Sequence, residues 1–481
     1  MQPKIVPTSL QRHRGFSVVL AIELWERFGF YGMQAVLTIF MVEQLHLSDY
    51  RVNMLLGASS ALMYIMPVLG GALGDRVIGS RRAMLVGALG LMLGYVCLAL
   101  LPQSLTYLCI SLSFISVGNG LFKPNAGNIV RKIYEGDNEL LDTIFTIYYM
   151  CVNIGSTISI LLMPWIQSYF GPRSAFLFCA IGLLIGILYY CIKSSHLDIL
   201  NLENYKKKNT KNIISVIFGA FLSVIVCNVI LQNAWVAQKG IILSATLVFL
   251  FWIFIYIKSK EEERKKLIIS YFLSILGSFY YIFYQQSITS LTLYTMRDVS
   301  GDFTLCGKTL WHFTPGQFQS LNPMWILLLS PLLAWLYQKI GKIQKNPSIL
   351  QKMLIGYGVL SLAFYLWWQS SLKGGNHISP WVMVGGYGCM SMAELLTGGL
   401  GLAVVARYTP ARLGGVVSGS VYALWGIAMY VGSIIANLVS DSSRTLIGAA
   451  IYADLFRELC FASMIIFLSG IVLHKLGGIF F

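Results

Sequence analysis

The chain has 481 residues, of which 56% are hydrophobic and only 11% charged, and its mean hydropathy is +0.69. That composition excludes a soluble globular domain and leaves a polytopic membrane protein, all-α, built from spans long enough to cross hydrocarbon. The formal net charge of +15 would suit nucleic acid, but the basic residues sit in the connections between apolar runs, so they report topology and no nucleic-acid partner is expected.

The first fifteen residues are polar and basic, and no short apolar core with a small-residue cleavage site follows them, so no cleaved signal peptide is expected. Apolar runs then predict helices near 16–44, 53–74, 83–102, 105–130, 142–167 and 174–192, followed by a lysine-rich stretch. Two more are predicted near 213–233 and 238–257, and a final six near 267–295, 323–341, 351–371, 379–408, 414–439 and 455–475. Arg12, Arg14, Arg76, Arg81, Arg82, Arg131, Lys132, Lys206 to Lys208, Lys258 to Lys266, Lys339 to Lys345, Arg407 and Arg412 fall on one side of this count. The bias places both termini in the cytoplasm. Fourteen spans arranged six, two, six give a cytoplasmic N-terminus at 1–15, a six-helix bundle at 16–195, an inserted two-helix hairpin with basic flanks at 196–266, a second bundle at 267–476 and a C-terminus at 477–481. Without the hairpin, six plus six is the major facilitator arrangement.

The first span carries Glu23, Glu26 and Arg27 in the run ELWERFGFYG. Spaced i, i+3 and i+4, they share one helix face and can neutralise one another. Charge near a bilayer centre costs at least about 2.5–3.5 kcal/mol, so that face is expected to look into protein or water and to mark an ion or substrate path. Beyond it the intramembrane charges are Lys123 in GNGLFKPNAGN and Glu394 in SMAELLTGG. Lys123 precedes Pro124, which frees a carbonyl in the fourth span; snorkelling to the surface is the competing reading. Cations in the first bundle and a lone carboxylate in the second suit a zwitterion, a free amino acid or short peptide, whose two ends each find an opposite charge. An internal salt bridge with no ligand is the structural alternative. Polar and aromatic residues accompany these charges: Tyr31, Gln34, Tyr64, Tyr149, Asn153, Tyr280, Tyr284, Gln285, Gln286, Asn322 and Trp325. The nine cysteines show no metal or disulfide spacing, and no His/Cys/carboxylate cluster, nucleophile motif or phosphate loop points to an enzyme, a metal or another cofactor.

GGALGDRVIGSRR resembles the loop signature of the major facilitator superfamily, with Asp75 and Arg76 as candidate gate residues. ELWERFGFYGM resembles the ExxERFxYYG signature of the proton-dependent oligopeptide transporter (POT) family, and GNGLFKPNAGN its fourth-helix motif. FTIYYMCVNIGS resembles FYxxINxGS, QSLNPMWILLLSPLLAWLY resembles QSxNPxxxxxxxP, and AELLTGGLGLAVVARYTPARLGG resembles the GELxxxPxGL region. The matches run in order from about residue 20 to 435, and the inserted hairpin resembles bacterial members, implying the inner membrane. The resemblance implies proton-coupled uptake of di- and tripeptides by alternating access, with protons as the coupling ion. It implies a coupling network of Glu23, Glu26, Arg27 and Lys123, with Lys123 also at the peptide carboxylate, and Glu394 and Asn322 at the peptide amino terminus. Tyr31, Tyr64 and Asn153 would line the site, with Tyr149 nearby; Gln34 and Gln286 complete the candidate set. Phe30 stands where the family often has tyrosine, Gln34 where many members have arginine, Ser391 and Met392 precede Ala393 and Glu394 without the usual glycine before the glutamate, and Gly398 and Gly399 stand near a common proline. The rival functions are transport of another small zwitterion or anion and a non-transporting nutrient sensor. The default assembly is a monomer in the lipid bilayer.

Overall fold

In hydrocarbon an isolated open segment satisfies its backbone only as a helix, so each long apolar run closes into one. The computed structural model describes residues 8–198, 210–343, 347–372, 378–438 and 450–476. In chain order the helices are α1 (Ser9–Glu43), α2 (Asp49–Leu73), α3 (Ser80–Leu100), α4 (Leu105–Ile133), α5 (Asn138–Phe170), α6 (Pro172–Lys193), the single turn α7 (Ser195–Asp198), α8 (Thr210–Gln232) and α9 (Ala234–Lys258). They continue as α10 (Glu261–Tyr284), α11 (Ser290–Arg297), α12 (Leu321–Ile343), α13 (Ile349–Leu372), α14 (Trp381–Leu396), α15 (Gly401–Tyr408), α16 (Ala411–Ala436) and α17 (Ala450–Leu476). Among the described residues thirteen helical segments are long and apolar enough to cross a membrane. The fourteenth expected span is α1, whose 35 residues suffice in length while its charged triad lowers its apolarity. Lys206 to Lys208 and Lys345, placed in basic connections above, lie outside the described residues, as do the ends of both termini.

Two expected spans are broken. The run at 267–295 divides into α10 and α11 around a 3-10 turn at Gln285–Ser287, and the run at 379–408 into α14 and α15 around another at Gly398–Leu400. Between α11 and α12, a connection with no readable role in the sequence forms an antiparallel hairpin, β1 (Asp302–Leu305) with β2 (Lys308–His312), pairing Phe303 with Trp311. Its turn residues Cys306 and Gly307 both have positive φ, 50° and 78°, as tight two-residue hairpins require. Phe303 is 1% exposed and packs against Phe313, Phe318 and Trp381, which anchors the hairpin.

The chain divides into two compact units: Met1–Val36 with Leu62–Asn233, and Leu37–Ala61 with Ala234–Phe481. In the first, α3 packs along α4 through small residues. A side chain at Gly118 would collide with Leu91 and Gly87 of α3, and one at Gly120 with Met66 of α2. The glycines of the GNG segment are therefore close-approach positions, the usual means of tight helix association in lipid. Helix α8 packs on α4, whereas α9 packs on α16 of the second unit, where the Trp252 indole donates to Ser420 Oγ at 2.7 Å. The core of the second unit is aromatic, with Trp367, Tyr357, Phe364, Tyr387 and Phe456 buried together. This unit also takes up the ends of α1 and α2 at their mutual turn. Arg297 grips Asp49 through two bonds of 2.6 and 2.7 Å, Thr38 Oγ1 donates to the Ile288 carbonyl at 3.0 Å, and Asn53 donates to Asn437 at 2.9 Å.

Candidate functional site

In the first unit the helical spacing brings Glu23, Glu26 and Arg27 together as expected, at 2%, 0% and 3% exposure. Arg27 Nε lies 3.4 Å from Glu23 Oε1, and Arg27 Nη2 donates to Glu26 Oε1 at 2.8 Å while Nε pairs with Glu26 Oε2. One guanidinium thus serves two carboxylates, and Glu23 Oε2 has no hydrogen-bond partner among the described residues. Arg27 is fixed from two further directions. Its Nη2 donates to Asn119 Oδ1 at 3.3 Å, and Asn119 is itself tied to the Met63 carbonyl at 3.0 Å. Its Cζ stands 5.1 Å from the Phe30 ring centroid. Phe30 therefore gives the guanidinium an aromatic face, an interaction that needs no hydroxyl.

Lys123 on α4 is half-buried, with Nζ 5.2 Å from the Tyr64 ring centroid, and it interacts electrostatically with both Glu23 and Glu26. Two carboxylates and two cations therefore balance within one unit. Tyr31, Gln34 and Tyr64 are half-buried. Asn153 is 6% exposed, and its amide donates to the Tyr149 carbonyl one turn back at 2.9 Å, while the Tyr149 ring is 44% exposed. Asn119 and Tyr148, whose electrostatic neighbours include Glu23, were not singled out from the sequence. Asn119 lies within GNGLFKPNAGN and Tyr148 beside Tyr149, so both stood in quoted motifs, but nothing local said which cluster they would face.

In the second unit Asn322, at the start of α12, donates to Glu394 Oε2 at 2.9 Å and to Ser391 Oγ at 3.1 Å, and the Ser391 hydroxyl returns a bond to the Asn322 carbonyl at 3.2 Å. The Tyr280 hydroxyl donates to the Met390 carbonyl at 3.1 Å. Glu394 is half-buried and is held by the neutral Asn322 amide; among the described residues no ion pair to it is seen. Ser391, met in the sequence only as a departure from the family pattern, proves to be the link between Asn322 and α14. Gln286 is buried, donates to the Gly432 carbonyl at 2.9 Å and accepts from Ser290 Oγ at 2.7 Å. It stitches the α10–α11 break to α16.

The loop after α2 winds as a π-turn over Gly74–Ile78 and passes through Gly79, at φ 86°, a left-handed value suited to glycine. Asp75 accepts from Asn128, whose amide also donates to Ser80 Oγ at 2.9 Å, and Lys132 reaches the same hydroxyl at 3.1 Å. Arg76 is exposed. The neighbouring Arg81 pairs with Asp198 of α7 at 2.6 Å.

The POT family model matches residues 81–452. The chain belongs to the POT family. It is 32% identical over 467 residues to dipeptide and tripeptide permease B of Aliivibrio fischeri strain MJ11, covering 95% of this chain and 92% of the relative. To dipeptide and tripeptide permease A of Erwinia pyrifoliae it is 33% identical over 460 residues, covering 94% and 91%. Among solved structures it resembles tetrameric PepTSo2, with a TM-score of 0.86 at 37% identity over 97% of this chain and 98% of that one. It also resembles a bacterial homologue of the human drug peptide transporters PepT1 and PepT2, with a TM-score of 0.84 at 36% identity and the same coverage. The POT family relatives are permeases, so this chain is a transporter and not an enzyme, integral to a bacterial inner membrane.

Proposed function

We propose that this protein is a proton-coupled symporter importing di- and tripeptides by alternating access. The carrying observation is that one buried guanidinium serves two carboxylates, with Glu23 Oε2 left without a partner. A carboxylate pair of this kind holds an exchangeable proton. Protonating Glu23 or Glu26 loosens its grip on Arg27 and Lys123, releasing a cation for the substrate carboxylate; losing the proton restores the internal pairing and favours release. Lys123 takes the peptide carboxylate, and Glu394, oriented by Asn322, takes the amino terminus. Tyr31, Gln34, Tyr64, Tyr149 and Asn153 meet the backbone, and Gln286 braces the α10–α11 break against α16. Binding termini and backbone leaves the side chains unread, which accounts for a broad substrate range. Asp75 and Arg76 act in the cytoplasmic gate, both termini face the cytoplasm, and the transport unit is the monomer, whatever assembly surrounds it.

The test is uptake of labelled dialanine into proteoliposomes, with an inward proton gradient and with the gradient collapsed by an ionophore. Accumulation that needs the gradient and is competed by di- and tripeptides, but not by alanine, is the expected result. Competition by free amino acids alone would transfer the assignment to another small zwitterion. Glu23→Gln is expected to abolish gradient-driven accumulation while peptide exchange continues; full accumulation by this variant would remove Glu23 from the coupling network.

A further inference from the structure

The connection that carries β1 and β2 leaves α11 and enters α12, and the crossings by α12 and α13 return the chain to the same membrane face at the start of α14. The hairpin meets that start directly. The indole of Trp381, the first residue of α14, donates to the Thr304 carbonyl at 3.0 Å, and its ring lies 6.2 Å from that of Trp311 and 5.2 Å from that of Phe303. The strands therefore lie against the first turn of a membrane span. Phe303 is buried in this contact, whereas Leu305, Leu310, Trp311 and Trp381 are 57%, 48%, 48% and 39% exposed. Lys308, beside the turn and paired with Leu305, is exposed as well. Single exposed apolar residues are ordinary, but two indoles in contact, with leucines beside them on the same hairpin, make a patch.

We propose that this patch is a membrane-interface anchor: Leu305, Leu310, Trp311 and Trp381 enter the boundary between lipid headgroups and acyl chains, and the Lys308 ammonium takes a lipid phosphate. The patch is continuous with a lipid-facing surface, because Trp381 opens a span. Indoles are favoured at that depth, being apolar over most of their area with one polar N–H, and the Trp381 N–H is already satisfied by Thr304. A lysine carries its charge on an apolar stem, so Lys308 can reach a phosphate while its methylenes cover the leucines. The hairpin's own polar pair, Asp302 with His312 at 2.8 Å, stands at its open end, away from the turn. A second copy of this chain is the rival occupant. An exposed lysine within the patch disfavours it, since lysine is depleted in protein interfaces. Anchored in this way, the hairpin ties the α11–α12 connection and the start of α14 to the bilayer surface.

The test uses the full chain, carrying fluorotryptophan, in nanodiscs of phosphatidylcholine with phosphatidylglycerol. Among the 11 tryptophans, the fluorine resonance lost in Trp311→Phe belongs to Trp311. A lipid bearing a nitroxide near its headgroup is expected to broaden this resonance strongly, and a water-soluble gadolinium chelate only weakly. Greater broadening by the chelate would place Trp311 in water, and protection from both probes would place it in a contact between proteins; either result overturns the anchor. The double variant Leu305→Asp/Leu310→Asp keeps Phe303 and its packing, so it should elute as folded protein while the order of the two probes reverses. An unreversed order in folded variant would overturn the patch as the anchoring unit. Lys308 is tested by lipid composition, since anionic lipid attracts basic residues at the surface. Adding phosphatidylglycerol to phosphatidylcholine discs should increase broadening by the lipid probe in the wild type and not in Lys308→Gln, and an equal increase in both would overturn its assignment to phosphate.

Discussion

Each unit buries carboxylate at a comparable kind of position on a membrane-spanning helix, and the two hold it by different chemistry. Glu23 and Glu26 share Arg27, backed by Asn119, Phe30 and Lys123. Glu394 is held by an asparagine amide. The first arrangement is internally neutral and is disturbed when a proton or an anion arrives. The second has no ion-pair partner among the described residues and therefore suits an incoming cation. A network that compensates itself is built to switch, whereas a carboxylate fixed by a neutral donor is built to bind.

Removing the shared cation should separate these roles most sharply. Arg27→Ala leaves two carboxylates buried together, a change of the kind that costs about 3–5 kcal/mol. The folded yield is expected to fall steeply and transport to vanish, and Arg27→Lys is not expected to restore it, because an ammonium cannot bond Glu26 bidentately. Fluorescence-detected size exclusion with uptake assays checks this. Glu394→Gln keeps an acceptor for Asn322 and the shape of the site, so the protein should fold normally. Its KM for dipeptides should rise about 10- to 100-fold, as expected when a charge-assisted bond worth roughly 1.5–3 kcal/mol is lost. The loss should disappear for N-acetylated peptides, which carry no ammonium. Phe30→Leu should cost about 0.5–1 kcal/mol of cation–π contact to Arg27, read as a two- to five-fold loss of uptake rate at unchanged expression.

A fourth carboxyl sharpens the comparison from the other side. Asp298, just past α11, is 2% exposed, and its Oδ2 has no hydrogen-bond partner among the described residues. Burial raises its proton affinity above the ordinary value of 3.8, with Arg297 opposing. A raised acid binds more protons folded than unfolded, so stability falls as pH climbs through this window and the penalty is complete above it. Asp298→Asn should therefore raise Tm by about 1–2 °C at pH 7.5 and leave it unchanged at pH 3.5, as a thermal shift series will show.

Much of this was legible in the chain. The triad on α1 follows from a spacing of three and four residues, and the spans follow from runs of apolar residues whose backbone must close on itself. Lys123 and Glu394 stood out because charge within a span is costly. The partners were not legible. Arg27 and Asn119 lie 92 residues apart, and Asn322 and Glu394 72. No local pattern says that an asparagine will face a guanidinium or that a serine will bridge two helices. The Gln286 amide, a candidate for ligand contact by polarity alone, turned inward to the α10–α11 break.

The sequence by itself determined that this protein crosses a membrane, where its helices run and which helix faces carry charge, because hydrophobicity and helical period are local properties. Only the tertiary structure decided that α8 and α9 pack on different units, that two spans break, that Phe303 anchors a β-hairpin and that Asn119 meets Arg27. Those outcomes depend on which surfaces approach closely enough to exclude one another. At Gly118, Gly120 and Gly155 the absence of a single methyl group sets that approach.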